Sequence, residues 1–241
     1  MAVFFYLRTM KRYITLIAVL LMVATTLCGQ GRYHAGDVVP KPFLKVFGSE
    51  RFFKVKPISD DLRGTMQGCS FKDERIVKWD DLRYLQVLHC DREGNSVVGE
   101  LVCHVAVADD LMQIFKELYK ESYPIEKMRL IECYDGDDEA SMLDNNTSCF
   151  NQRSITAGGR VSKHSYGLAV DINPRYNPYY KLRAGGRANI KPESSADYLN
   201  RDADFPYKIT KGDLCYRLFK KHGFHWGGDW ASGKDYQHFE K

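Results

Sequence analysis

The sequence predicts an α+β domain in which a small antiparallel sheet presents metal-capable side chains on one face and packs helices on the other. Three observations lead there. Alternating apolar residues flank the turn REGN over residues 84–107, a helical apolar period follows from Asp109, and two distant segments concentrate His and carboxylates.

The chain has 241 residues, 44% hydrophobic and 27% charged, a balance that excludes a largely disordered polymer and a multi-span membrane protein. A formal charge of +4 is too small to imply a polyanion, so no nucleic-acid partner is expected and the domain is read as a monomer. Arg8, Lys11 and Arg12 precede the uncharged run Tyr13 to Leu27, which is short for a membrane span and suits an export signal. Residues 1–29 are therefore read as a signal peptide, with Met10 as an alternative start. Cys28 is a candidate lipid acceptor, although Leu27 before it is bulky for that signal. The expected location is outside the cytoplasm, periplasmic or attached to the cell envelope. Removal of the signal takes the charge from +4 to +1 and leaves Cys69, Cys90, Cys103, Cys133, Cys149 and Cys215. Those six allow up to three disulfides, with a buried free thiol as the alternative for each.

Residues 30–60 mix Gly, Pro and charge without periodicity and read as an N-terminal arm, ahead of a single domain over 61–241. YLQVLHCD and SVVGELVCHVAV form the predicted hairpin, in which His89 and His104 are read as hydrogen-bonded sheet residues. Asp109 and Asp110 open a core-facing helix with Leu111, Ile114, Phe115, Leu118 and Tyr119 on one side, closed before Pro124. IEKMRLIECYD reads as a strand and DDEASMLDNNTS as a short helix or turn. The sequon at Asn145 carries no meaning unless the host glycosylates. Residues 174–208, rich in Pro, Gly and Tyr, are long for a connection and are expected to act as a lid or wall. A helix resumes at Lys211 with Leu214, Leu218 and Phe219 on one face.

SKHSYGLAVDIN places His164 before a Gly and Asp171 within an apolar alternation, so Asp171 enters a buried setting where a cation would be its natural partner. The C-terminus adds His225, Asp229, Asp235, His238 and Glu240. Two His and one carboxylate make a three-ligand zinc set with a fourth position for water, and Asp235, three residues before His238, is placed to take that water's proton.

SKHSYGLAVDINP resembles the SxHxxGxAxD signature of the M15 zinc peptidases, which include D-alanyl-D-alanine carboxypeptidases and L-alanyl-D-glutamate endopeptidases, and WGGDW with DYQHFE resembles their C-terminal motif. The resemblance implies a hedgehog/DD-peptidase-like fold, Zn2+ held by His164, Asp171 and His238, and hydrolysis of an amide in peptidoglycan stem peptides. It also implies Arg153 as the side chain that steadies the substrate carbonyl, and Ser162 as a substrate contact. His225, Trp226 and Trp230 are expected to wall the cleft, with Trp226 touching substrate. Family members of the carboxypeptidase and dipeptidase branches carry ExxH where this chain has DxxH, so Asp235 is the base by position, with Asp229 and Glu240 in reserve. The alternative is a non-catalytic domain that keeps zinc and binds murein or another partner.

Overall fold

The computed structural model describes residues 33–153 and 161–241. The signal peptide, the alternative start and Cys28 lie outside the described residues. Among those described, no helix is long and apolar enough to cross a membrane.

The architecture is mixed α+β, built on small antiparallel sheets. The largest is centred on the predicted hairpin, whose strands β3 (Leu82–Cys90) and β4 (Ser96–His104) pair from Leu82 opposite His104 to Cys90 opposite Ser96. Its edges come from the arm: β1 (Val38–Val39) pairs with β4, and β2 (Lys54–Pro57) with β3. Between them lies the seven-residue helix α1 (Lys41–Phe47), and after β2 comes α2 (Asp60–Met66), capped by Ser59. One part of the core joins α2 to the sheet through Ile58, Met66, Phe71, Leu82, Val102 and Phe150.

Helix α3 (Val105–Lys120) buries Val107, Ala108, Leu111, Met112, Ile114, Phe115 and Leu118, the expected helical stripe. It begins four residues before Asp109, because the His104 ring accepts the amide of Ala106 and caps the helix. The sequence VAV therefore belongs to the helix, and the strand ends at His104. Residues 125–130 are extended but make only isolated bridges, such as Lys127 with Asn146, so the expected strand is absent there. A short helix, α4 (Asp138–Leu143), follows as the sequence suggested. Asn145 of the sequon is buried and donates to Glu126, which leaves no room for a glycan.

The C-terminal half adds two three-stranded sheets. One runs β5 (Ala169–Asp171), β10 (His238–Glu240), β8 (His225–Trp226). The other runs β7 (Ala188–Lys191), β6 (Tyr179–Leu182), β9 (Lys234–Asp235). Val170, Ile172 and Phe239 turn inward onto α3 and α5 (Leu214–Lys221), where Phe219 stacks on Phe239 at 4.2 Å. Helices thus cover one face of the small β5–β10–β8 sheet and leave the alternate residues to the other. The six described cysteines are free, so the expected bridges do not form among the described residues; burial of Cys103, Cys149 and Cys215 pushes their thiols up and keeps them protonated.

His89 is 2% exposed, and its Nδ1 donates to the Ile125 carbonyl at 2.7 Å. Burial lowers its pKa to about 4, with the Ile125 bond opposing. Its unfolded value lies higher, so stability is intact above about pH 6.5 and falls as the pH drops toward 4, by about 3 kcal/mol in all. Urea unfolding at pH 7.5 and pH 4.5 should show this loss, and His89→Gln should reduce it; an unchanged slope would assign acid sensitivity to other groups.

Candidate metal centre

Ligand placement begins with Gly167. His164 sits in the short 3-10 helix Lys163–Tyr166, capped by the Ser162 hydroxyl, which accepts the His164 amide at 3.3 Å. Gly167 ends that helix at φ +71, and a Cβ there would lie 2.6 Å from the His104 backbone nitrogen. Only glycine allows both the left-handed turn and that approach. Gly167→Ala should cost about 2 kcal/mol or more in urea unfolding and weaken any metal binding by the cluster through displaced His164; an unaltered metal affinity would show that the turn does not position the ring.

Strand β5 then delivers Asp171 directly opposite His238 of β10. His164, Asp171 and His238 are all buried, and one ligand atom from each lies within 4.8 Å of the others. His164 Nε2 is 3.1 Å from His238 Nδ1 and 3.2 Å from Asp171 Oδ2, while His238 Nδ1 is 3.0 Å from Asp171 Oδ1. Donors around a tetrahedral zinc stand about 3.3 Å apart, close to this spacing.

The ring orientations fit the same purpose. His164 Nδ1 faces the Cys149 carbonyl at 2.6 Å and must donate to it, which leaves the Nε2 lone pair for a metal. Glu240 Oε2 takes His238 Nε2 at 3.1 Å and turns Nδ1 toward the cluster. Glu240 therefore stands behind the His238 ring, at the nitrogen away from His164 and Asp171. Burial opposes the charge on His238, but bonds to Asp171 and Glu240 outweigh it and push its pKa up to about 10. Asp171, against the cost of burial, is held well below the usual carboxylate range by His164 and His238. A buried carboxylate that keeps its charge this way suits a divalent cation.

Asp235 lies on β9, and its Oδ1 is sealed from solvent without a hydrogen-bond partner. Burial pushes its pKa up to about 7, although the charge on His238 pulls the other way. Asp229, by contrast, is exposed and paired with Lys211 at 2.9 Å. Of the three carboxylates considered as base, Asp235 alone has a buried oxygen without a partner, among the described residues. Arg153 donates from Nη1 to Asp138 Oδ2 at 2.8 Å and places Nη2 3.7 Å from Asp171 Oδ2. Its Nε and Nη2 are buried without hydrogen-bond acceptors.

Two expected contacts are corrected or narrowed. Trp226 is 4% exposed, packs in the core against Tyr216 and donates from Nε1 to the Tyr236 carbonyl, so it supports the sheet from beneath and does not wall the cleft. The Trp230 ring lies 5.3 Å from that of His238, while His225 is exposed. Ser162 accepts the His164 amide as a cap, and its O–H remains able to donate.

The excursion over 174–208 is ordered rather than a free lid. Tyr179 of β6 pairs with Asp235 on one side and Lys191 of β7 on the other, which puts the three side chains on one face. Arg201 joins both ends of the excursion by donating to the carbonyls of Tyr176 and Ile209, and it lies 4.4 Å over the Tyr236 ring.

Residues 156–241 match the family model described as D-alanyl-D-alanine carboxypeptidase, of peptidase family M15. That segment is similar to the M15 peptidases. The matched segment contains His164, Asp171, Asp235 and His238, whereas Arg153 precedes it. No solved structure matches the chain. Asp138 and Tyr179 were not legible as site residues, because each meets the site only through pairing across distant sequence.

Proposed function

We propose that this chain is a zinc-dependent peptidase of hedgehog/DD-peptidase-like fold that acts outside the cytoplasm on peptidoglycan stem peptides, either as a D-Ala-D-Ala carboxypeptidase or as an L-Ala-D-Glu endopeptidase. The observation that carries this reading is the convergence of His164 Nε2, Asp171 and His238 Nδ1, with a buried Asp235 carboxyl that feels the charges of His238 and Asp171 and has a partnerless Oδ1. Zinc held by those three would supply Lewis-acid polarisation and a lowered pKa for water. Asp235 accepts the proton of the attacking water and returns it to the leaving amine, a shuttle suited to a carboxyl near neutrality. Arg153 turns its two unsatisfied nitrogens, Nε and Nη2, to the negative charge that develops on the carbonyl oxygen. Trp230 and the β6–β7 hairpin bound the groove, and the Ser162 hydroxyl donates to the peptide.

Digestion of purified peptidoglycan by the zinc-loaded protein, followed by mass spectrometry, tests the reading and chooses the bond. Released D-Ala identifies the carboxypeptidase, and new amino termini on D-Glu the endopeptidase. Absence of any product from protein with full zinc occupancy rejects the catalytic reading.

A further inference from the structure

Arg153 has two carboxylates within reach and donates to only one of them. Asp138 Oδ2 is 2.8 Å from Nη1, whereas Asp171 Oδ2 is 3.7 Å from Nη2, beyond a hydrogen bond. Asp171 faces both His164 and His238, so a guanidinium that collapsed onto it would compete for a metal-facing oxygen. Asp138 is itself held firmly. It is the first residue of α4, whose start is fixed by Asp137 Oδ1 accepting the amides of Glu139 and Ala140. The next residue, Glu139, takes Lys191 Nζ at 3.0 Å and the amide of Glu193, so the same helical turn also holds the end of the β6–β7 hairpin.

We infer that Asp138 is the positioning residue for Arg153: it holds Nη1, keeps the guanidinium off Asp171, and leaves Nε and Nη2 buried with no acceptor of their own. This rests on the peptidase reading for its catalytic consequence, but the clamp itself is a property of the chain. The first turn of α4 thereby holds both the arginine and the β6–β7 hairpin through adjacent residues.

The test uses zinc-loaded Asp138→Asn, Asp138→Glu, Arg153→Ala and the double variant Asp138→Asn/Arg153→Ala. Asp138→Asn should lower kcat about 10- to 100-fold with KM little changed and zinc content intact, a loss of the size seen when supporting hydrogen bonds are removed. Asp138→Glu should recover part of it, and the double variant should be no slower than Arg153→Ala alone. Multiplying losses in the double variant would overturn the clamp. NMR of the Arg153 guanidinium gives a readout independent of turnover: slow rotation in the wild type should become fast in Asp138→Asn. Unchanged rotation would also overturn the inference. If the wild type cleaves no stem peptide yet shows the slow rotation and its loss, the peptidase reading fails and the clamp stands.

Discussion

If the proposed peptidase reading holds, Asp235→Asn should lower turnover of stem peptides by about 100- to 10,000-fold with zinc still bound, the range expected when a general base is removed. Asn preserves the volume and the β9 pairing with Tyr179 but cannot take a proton. Asp is a methylene shorter than the Glu of the related ExxH motif, so its reach depends on the backbone. The structure fixes that backbone from two sides, by Tyr179 across β6 and by Gly227, where a Cβ would lie 2.6 Å from the Asp235 carbonyl oxygen. Asp229→Asn, at an exposed site already tied to Lys211, should leave turnover within about twofold. Steady-state rates and metal analysis on both variants decide the matter; a larger loss at Asp229, or full activity without the Asp235 carboxylate, would reassign the base.

The second large effect concerns the metal. His238→Ala removes one of the three converging donors, so zinc affinity should fall by more than the roughly 10- to 100-fold that loss of an outer hydrogen-bond partner costs. Glu240→Gln removes only such a partner and should fall within that range. Competition with a chromophoric zinc chelator measures both. Equal losses would mean that Glu240 itself binds the metal, and no loss at His238 would remove it from the ligand set. Activity should follow occupancy, with chelation abolishing it and added zinc restoring it.

The clustering of His164, Asp171 and His238 was legible because metal chemistry restricts residue type so severely, and the spacing of His164 and Asp171 around Gly167 already implied a turn into a strand. The hairpin and α3 were legible for a different reason: long apolar periods survive local irregularity. Where α3 begins was not, since His104 serves as an uncommon cap. Trp226 misled because its neighbours are polar and glycine-rich, while a two-residue strand is too short to reveal which side faces the core. The acidic run at 137–139 looked like a helix start and is one, but its contacts with Arg153 and Lys191 arise from chain segments that no local period connects.

Because Tyr179 pairs with Asp235, the β6–β7 hairpin and the strand that carries the carboxylate are one mechanical part. A displacement of β6 moves the carboxylate with it. Loop exchange at this hairpin therefore also shifts Asp235, and a chimera that imports a foreign hairpin must import its matching β9 strand as well.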